Sequence, residues 1–236
     1  MAKRYYFLLA SLPPLPELGG PLPMPLPIFC RMTREEGDSA EVVEAILLEQ
    51  DLLARQTVLA GGEGATPLVL SAEQAAGTAP LPESLVAPAD RPRRLPADAT
   101  WEAYWCYASA VGRRLGCAFL GAYVGFEVML RNALVSARAA ALGLEARPYL
   151  VALDLAEQSR PVGSSEHRVA EAVAAWAAAP DPLAALRAVD RVRARWTMDQ
   201  SHPYAFDMDE LAAYARQMVL VARWHEIGLA SAPAGP

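Results

Sequence analysis

From Thr100 onward the sequence keeps one pattern, with apolar residues three and four positions apart and breaks only at helix-stopping residues. That spacing places side chains on one face of an α-helix. Trp101, Tyr104, Trp105, Ala108 and Val111 share such a face, with Asp98 or Thr100 as cap. A second stretch continues to about residue 142 and stops at Gly143. Pro148-Tyr149-Leu150 opens a connector, and residues 151–157 read as a short helix. The next helix starts at Ser164 or Ser165, with Val169, Val173 and Trp176 inward. Pro180-Asp181-Pro182 resets the chain: Asp181 caps, and Pro182 takes the first helical position. Leu183, Leu186, Val189, Val192 and Trp196 follow at helical spacing. Asp207 and Glu210 make a capping-box arrangement ahead of Leu211, Tyr214, Met218, Val221 and His225. Residues 100–230 are therefore expected to form a mainly α helical bundle, with a frayed tail over 231–236.

The first hundred residues are less regular. The opening, residues 5–12, is β-prone yet apolar on both faces, a short buried strand or helix. Seven prolines between 13 and 27 then exclude regular structure, since each removes a donor and restrains its predecessor. This segment is expected to pack as a stiff connector; the alternative is a polyproline ligand for an SH3-type partner. Residues 39–59 form the first good helix, capped by Ser39 and ended by Gly61-Gly62, with Val42, Val43, Ile46, Leu47, Leu53 and Val58 inward and Glu41, Glu44, Glu49 and Asp51 wet. Residues 1–59 thus form an N-terminal segment plus helix, packing on the main body. Residues 60–99 are rich in Gly, Pro and small side chains and read as a linker or mobile loop, with one short strand possible at Pro67-Leu68-Val69-Leu70.

Composition narrows the function. A net charge of −6 and a pI near 5.2 argue against a general nucleic-acid binder. Three cysteines, Cys30, Cys106 and Cys117, form no CxxC pair, which favours free thiols in a reducing compartment. Lys3 and Arg4 precede an apolar run as in a secretory signal. The run is short and Tyr-rich, however, and prolines replace a cleavage site. The longest uncharged helical stretch, 115–126, falls short of the ~20 residues of a membrane span. A cytoplasmic protein with no direct membrane span is expected.

No catalytic set emerges. His167, His202 and His225 are scattered, and Asp199-x-x-His202 lacks a third ligand. Asp207, Asp209 and Glu210 suit a helix start without a metal. No nucleophile elbow, Walker A loop or dinucleotide fingerprint is present. The expectation is no catalytic residue, no metal and no cofactor.

One constellation stands out. Glu127, Arg131 and Asn132 lie within an apolar stretch, so they are expected to be partly buried and paired. The i,i+4 spacing predicts a Glu127–Arg131 ion pair. With Trp196 and Asp199 these residues are expected to form a structural polar clamp that fixes helix packing. The alternative is a small-molecule-binding or hydrolytic site. Arg91, Arg93, Arg94, Arg113 and Arg114 are candidates for docking an acidic partner; a generic helical scaffold that docks through the first three is a third reading. Gly112/Gly116 and Gly121/Gly125 form GxxxG pairs, expected to permit close helix approach in the core.

Three motifs carry a resemblance. The N-terminal YYFLLASLP, the central Phe126-Glu127-x-x-Leu130-Arg131-Asn132-Ala133-Leu134, and the C-terminal set Trp196-x-x-Asp199, His202-x-x-x-Phe206-Asp207, Ala213-Tyr214 and Arg223-Trp224 resemble a bacterial uncharacterised family encoded among V/A-type ATPase genes. That family is similar to the C-type subunit of V-type ATPases, which carries the letter d in the eukaryotic complex. The resemblance implies an all-helical, funnel-like, non-catalytic socket. Its partners would be the central-stalk subunits and the membrane rotor ring, and it would be cytoplasmic and peripheral to the inner membrane through that complex.

Overall fold

The computed structural model describes residues 5–35, 37–87, 93–158 and 164–230. These residues contain ten α-helices and two 3-10 turns joined by irregular segments, and no strand occurs among them. The order is α1 (Tyr6–Ser11), α2 (Leu26–Arg34), α3 (Asp38–Leu59), α4 (Ala72–Ala76), a 3-10 turn Glu83–Leu85, α5 (Pro96–Leu115), α6 (Ala118–Ala141), a 3-10 turn Arg147–Tyr149, α7 (Leu153–Gln158), α8 (Ser164–Ala177), α9 (Pro182–Gln200) and α10 (Met208–Ala230).

Helix α6 is the axis of the bundle, packed on α5, α7, α8 and α10. Helix α3 lies against α2, α4, α5 and α10, and α9 closes the far side against α8 and α10. One apolar core runs through these helices, from Phe29 and Ile46 to Tyr104, Leu120, Phe126, Val192 and Val219. Helix α6 is also long and apolar enough to cross a bilayer. Counting only the uncharged run hid this, because the apolar stretch continues past Glu127 and Arg131. Here its apolar surface is turned against four other helices.

The α5–α6 turn explains one glycine pair. Gly116 ends α5 in the left-handed region, with φ +69°. A β-carbon on Gly112 would lie 3.2 Å from the Gly121 backbone nitrogen and 3.3 Å from the Cys117 oxygen. Close approach therefore rests on Gly112; a β-carbon at Gly121 would meet nothing within 4 Å.

Several expectations about the N-terminal part are corrected. The opening segment is a helix, α1, which buries Leu8 but leaves Phe7 88% exposed, so it is not apolar-covered on both sides. The proline exclusion fails at its end: Pro27 sits in the first turn of α2, where its missing N–H has no intrahelical partner to lose. That helix buries Phe29, Cys30 and Thr33. Helix α3 starts one residue early, with Gly37 at the cap and Ser39 buried.

Glu49 and Asp51 are buried, not wet. Asp51 accepts backbone N–H groups of Leu68, Val69 and Leu70 at 2.7–2.8 Å. One carboxylate thus satisfies the donors a strand partner would have taken, and residues 67–70 remain irregular. The region 60–87 carries α4, with a full Ser71–Gln74 capping box, and buries Leu70, Ala75 and Leu85. It is anchored to the body, not a free linker, because the Asp51 cap and these three side chains hold it on α3 and α5.

Downstream, Asp181 Oδ1 accepts the Ala184 N–H, as expected of a cap. Leu183 and Leu186 face outward, however, at 49% and 36% exposure. At the start of α10, Asp207 accepts the Glu210 N–H at 3.1 Å. Glu210 reaches back past Asp207, to the N–H groups of Tyr204 and Phe206. Both of those residues have positive φ, +68° and +53°, and Glu210 holds that turn closed.

Candidate functional site

Four long helices each bring charge into the core. Glu49 comes from α3, Glu127 from α6, Asp190 and Arg193 from α9, and Arg216 and Arg223 from α10. Arg216 and Arg223 share a stripe of α10 with Ala212 and Val219, so a helix that buries those must bury the guanidiniums.

The six side chains close into a ring of alternating sign. Arg216 donates to Glu49 at 3.2 Å and to Glu127 at 2.8 Å. Arg193 grips Glu127 with both Nε and Nη2 and donates to Asp190 at 2.9 Å. Arg223 then bridges Asp190 at 3.2 Å and Glu49 at 3.3 Å. Three positive charges balance three negative ones, and every neighbour around the ring is of opposite sign. The Trp224 indole N–H donates to Asp190, the Tyr123 hydroxyl to Glu49, and the Arg216 guanidinium lies 5.0 Å from the Tyr123 ring centre.

Burial alone raises a carboxyl pKa, yet Glu49 lies below the ordinary range because Arg216, Arg223 and Arg193 outweigh that effect. Asp190 lies low for the same reason, with Arg193 and Arg223 overcoming its burial. Burial works to lower the Arg216 and Arg193 guanidiniums, and the surrounding carboxylates push both up instead. Asp51 goes the other way: burial outweighs its three backbone donors and raises it. Tyr104 and Tyr123 are raised chiefly by burial.

The expected clamp residues are distributed, not gathered. The predicted Glu127–Arg131 pair is corrected: Glu127 turns toward α9 and α10, whereas Arg131 binds Asp98 of α5, the Tyr149 carbonyl and the Asn132 side chain. Four residues apart on one helix, the two find better partners on other helices. Asn132 clasps the Val151 backbone, donating to its oxygen at 2.8 Å and accepting its N–H at 3.1 Å. Trp196 stacks on Phe126 at 4.4 Å and donates to Ser165. Asp199 lies at the surface, held by Arg168 of α8. Trp196 and Asp199 both tie α9 to α8, whereas Arg131 and Asn132 hold α6 to α5 and to the 149–151 connector.

The candidate docking arginines divide similarly. Arg93 pairs with Glu102 and donates to the Leu150 carbonyl, and Arg94 lies over the Tyr149 ring at 5.2 Å. Arg114 pairs with Glu41 at the surface, and Arg113 is exposed. Arg91 lies outside the described residues. The three cysteines are free thiols; Cys30 and Cys117 are buried, and burial raises both above the ordinary thiol value. Among the described residues no group of three His, Cys, Asp or Glu side chains could hold a metal. Asp209, of the acidic trio, accepts the Phe119 N–H at the start of α6.

Sequence reading found Glu127 and missed the other five members of the ring. The signal was present: a charge at a core position of an otherwise apolar helical stripe, as at Glu49 between Ile46 and Leu52. Comparison with known protein families, curated proteins and solved structures finds no match to this chain.

Proposed function

We propose that this chain is a non-catalytic, helical component of a rotary V/A-type ATPase, similar to the C-type subunit, and that it couples the central stalk to the membrane ring. The observation that carries the reading is the closed ring of alternating charge across α3, α6, α9 and α10. A part that transmits torque must keep its helices in register. Buried charges serve that need, because sliding one helix by a turn strands several of them unpaired at high cost. A binding or catalytic cluster instead leaves polar groups pointing into open space for a ligand, whereas both oxygens of Glu127 are taken up by arginines. The three sequence motifs supply the particular assembly. The reading gives the chain cytoplasmic placement at the membrane through its complex, and no metal or cofactor of its own.

The test is a chromosomally tagged copy in its native cell. Stalk and ring subunits should co-purify with it in fixed proportion, and deletion should lower ion pumping per ATP hydrolysed. Native ATPase that lacks the protein, with pumping unchanged in the deletion strain, refutes the reading.

A further inference from the structure

The outer face of α9 is unlike the rest of this acidic protein. Arg187, Arg191 and Arg195 recur every four residues and line one cleft of about 650 Å³. All three are exposed. Arg187 is braced over the Trp224 ring at 5.4 Å, and neither Arg187 nor Arg191 forms an ion pair with a described residue. Among the described residues, Glu171 neutralises Arg195 alone of the three. The opposite wall is the proline-rich connector, through Leu15, Pro16 and Leu18, and Glu17 is the one carboxylate among the described residues of the lining.

Apolar side chains flank the arginines on the same helical face. Leu183 is 49% and Met198 60% exposed, and their positions fall within one third of a turn of the arginine stripe. The described residues leave these leucine and methionine side chains largely uncovered. Placed at either end of a basic stripe, they make an apolar–basic–apolar helix face about 22 Å long by helical rise, with Met198 inside the cleft and Leu183 just beyond it. The matching partner presents acid on successive turns and an apolar residue at each end.

We infer that the groove between α9 and residues 15–18 docks an acidic amphipathic helix of a partner protein, its carboxylates meeting Arg187, Arg191 and Arg195. On a chain of net charge −6, this patch attracts acidic partners locally while the remaining surface repels them, which selects register as well as partner. The inference stands on the α9 face itself and holds for whichever assembly the protein serves. A binding result in vitro is therefore read independently of co-purification with an ATPase.

The test uses the full chain and a fluorescein-labelled helical peptide with Glu on successive turns and Leu at each end of that face; a twin carries Lys for Glu. Fluorescence anisotropy should show the Glu peptide binding, more weakly as salt rises, and the Lys twin not binding. Arg191→Glu should weaken binding by about tenfold or more, while Arg113→Glu, on α5, should leave it unchanged. Arg191 is exposed and forms no ion pair with a described residue, so the variant's melting curve should match the parent; Arg191→Gln gives a milder step if it does not. No binding of the Glu peptide, equal binding of both peptides, or loss through Arg113→Glu in place of Arg191→Glu overturns the inference. Phosphatidylserine vesicles that sediment the protein through Arg191, with no peptide bound, also overturn it in favour of a membrane surface.

Discussion

Replacing Arg216 by methionine removes the guanidinium that bridges two of the three ring carboxylates. The side chain is 1% exposed, so water does not take its place without opening the core. Glu127 keeps the two-pronged grip of Arg193, and Glu49 keeps Arg223 and Tyr123. The ring as a whole is left with one uncompensated negative charge. Breaking a buried pair from one side costs about 3–5 kcal/mol. For a chain of this length each kcal/mol moves the melting temperature by about 2–4 °C, so a drop of roughly 6–20 °C is expected. Thermal unfolding followed by far-ultraviolet circular dichroism measures the drop, and urea unfolding measures the free-energy loss. Adding Glu49→Gln to Arg216→Met restores neutrality, and the double variant should be more stable than the sum of the two single losses by about 1 kcal/mol or more. Arg216→Lys, which keeps the charge but loses the fork, should fall between. An Arg216→Met loss below about 1 kcal/mol, or strict additivity in the double variant, would refute the view that the ring acts as one unit.

Three further outcomes are expected. Gly112→Ala should destabilise by about 1–2 kcal/mol, although alanine favours a helix by ~1 kcal/mol, because the new methyl meets backbone atoms that cannot rotate away. Gly121→Ala, with open space at its β-carbon, should be neutral or stabilising, and thermal melts in the reverse order defeat the close-approach argument. Asp51→Ala should cost about 2–4 kcal/mol and speed hydrogen exchange at Leu68, Val69 and Leu70, since three N–H groups lose one acceptor. Unaltered exchange there contradicts the anchoring role. Acid should weaken the fold: Glu49 and Asp190 lie below their ordinary values of 4.5 and 3.8, so their contribution is complete above those values and disappears as pH falls through the folded ones. Asp51, raised from 3.8, acts with the opposite sign and offsets part of that loss. A urea midpoint that stays flat from about pH 5 to pH 3 excludes a net contribution from the ring carboxylates.

The long helices were legible in the residues; α2 and α4 were not. Spacing of three and four located α5, α6, α8, α9 and α10, and Asp181, Pro182, Asp207 and Gly143 marked boundaries that the structure keeps. These signals are local, since a cap or a stripe depends on neighbours within a turn or two of the same chain. The Asn132 clasp on Val151 and the stacked Trp196 were foreseen only as polar or aromatic residues in an apolar setting, without their partners.

Pairing was decided by the tertiary structure. The sequence placed Glu127 within reach of Arg131, and an isolated helix favours that pair by a few tenths of a kcal/mol. In the folded chain Arg193 and Arg216 arrive from 66 and 89 residues away and take the carboxylate, while Asp98 takes Arg131. Inside the core an unpaired charge costs several kcal/mol, so long-range partners outweigh the local preference. The same reason turned Glu49 and Asp51 inward from what reads as a wet helix face. The sequence by itself determined the long helices from α3 onward but not the short α1, α2 and α4; the packing of α3, α6, α9 and α10 determined which charges meet, because only packing removes the water that would otherwise satisfy them.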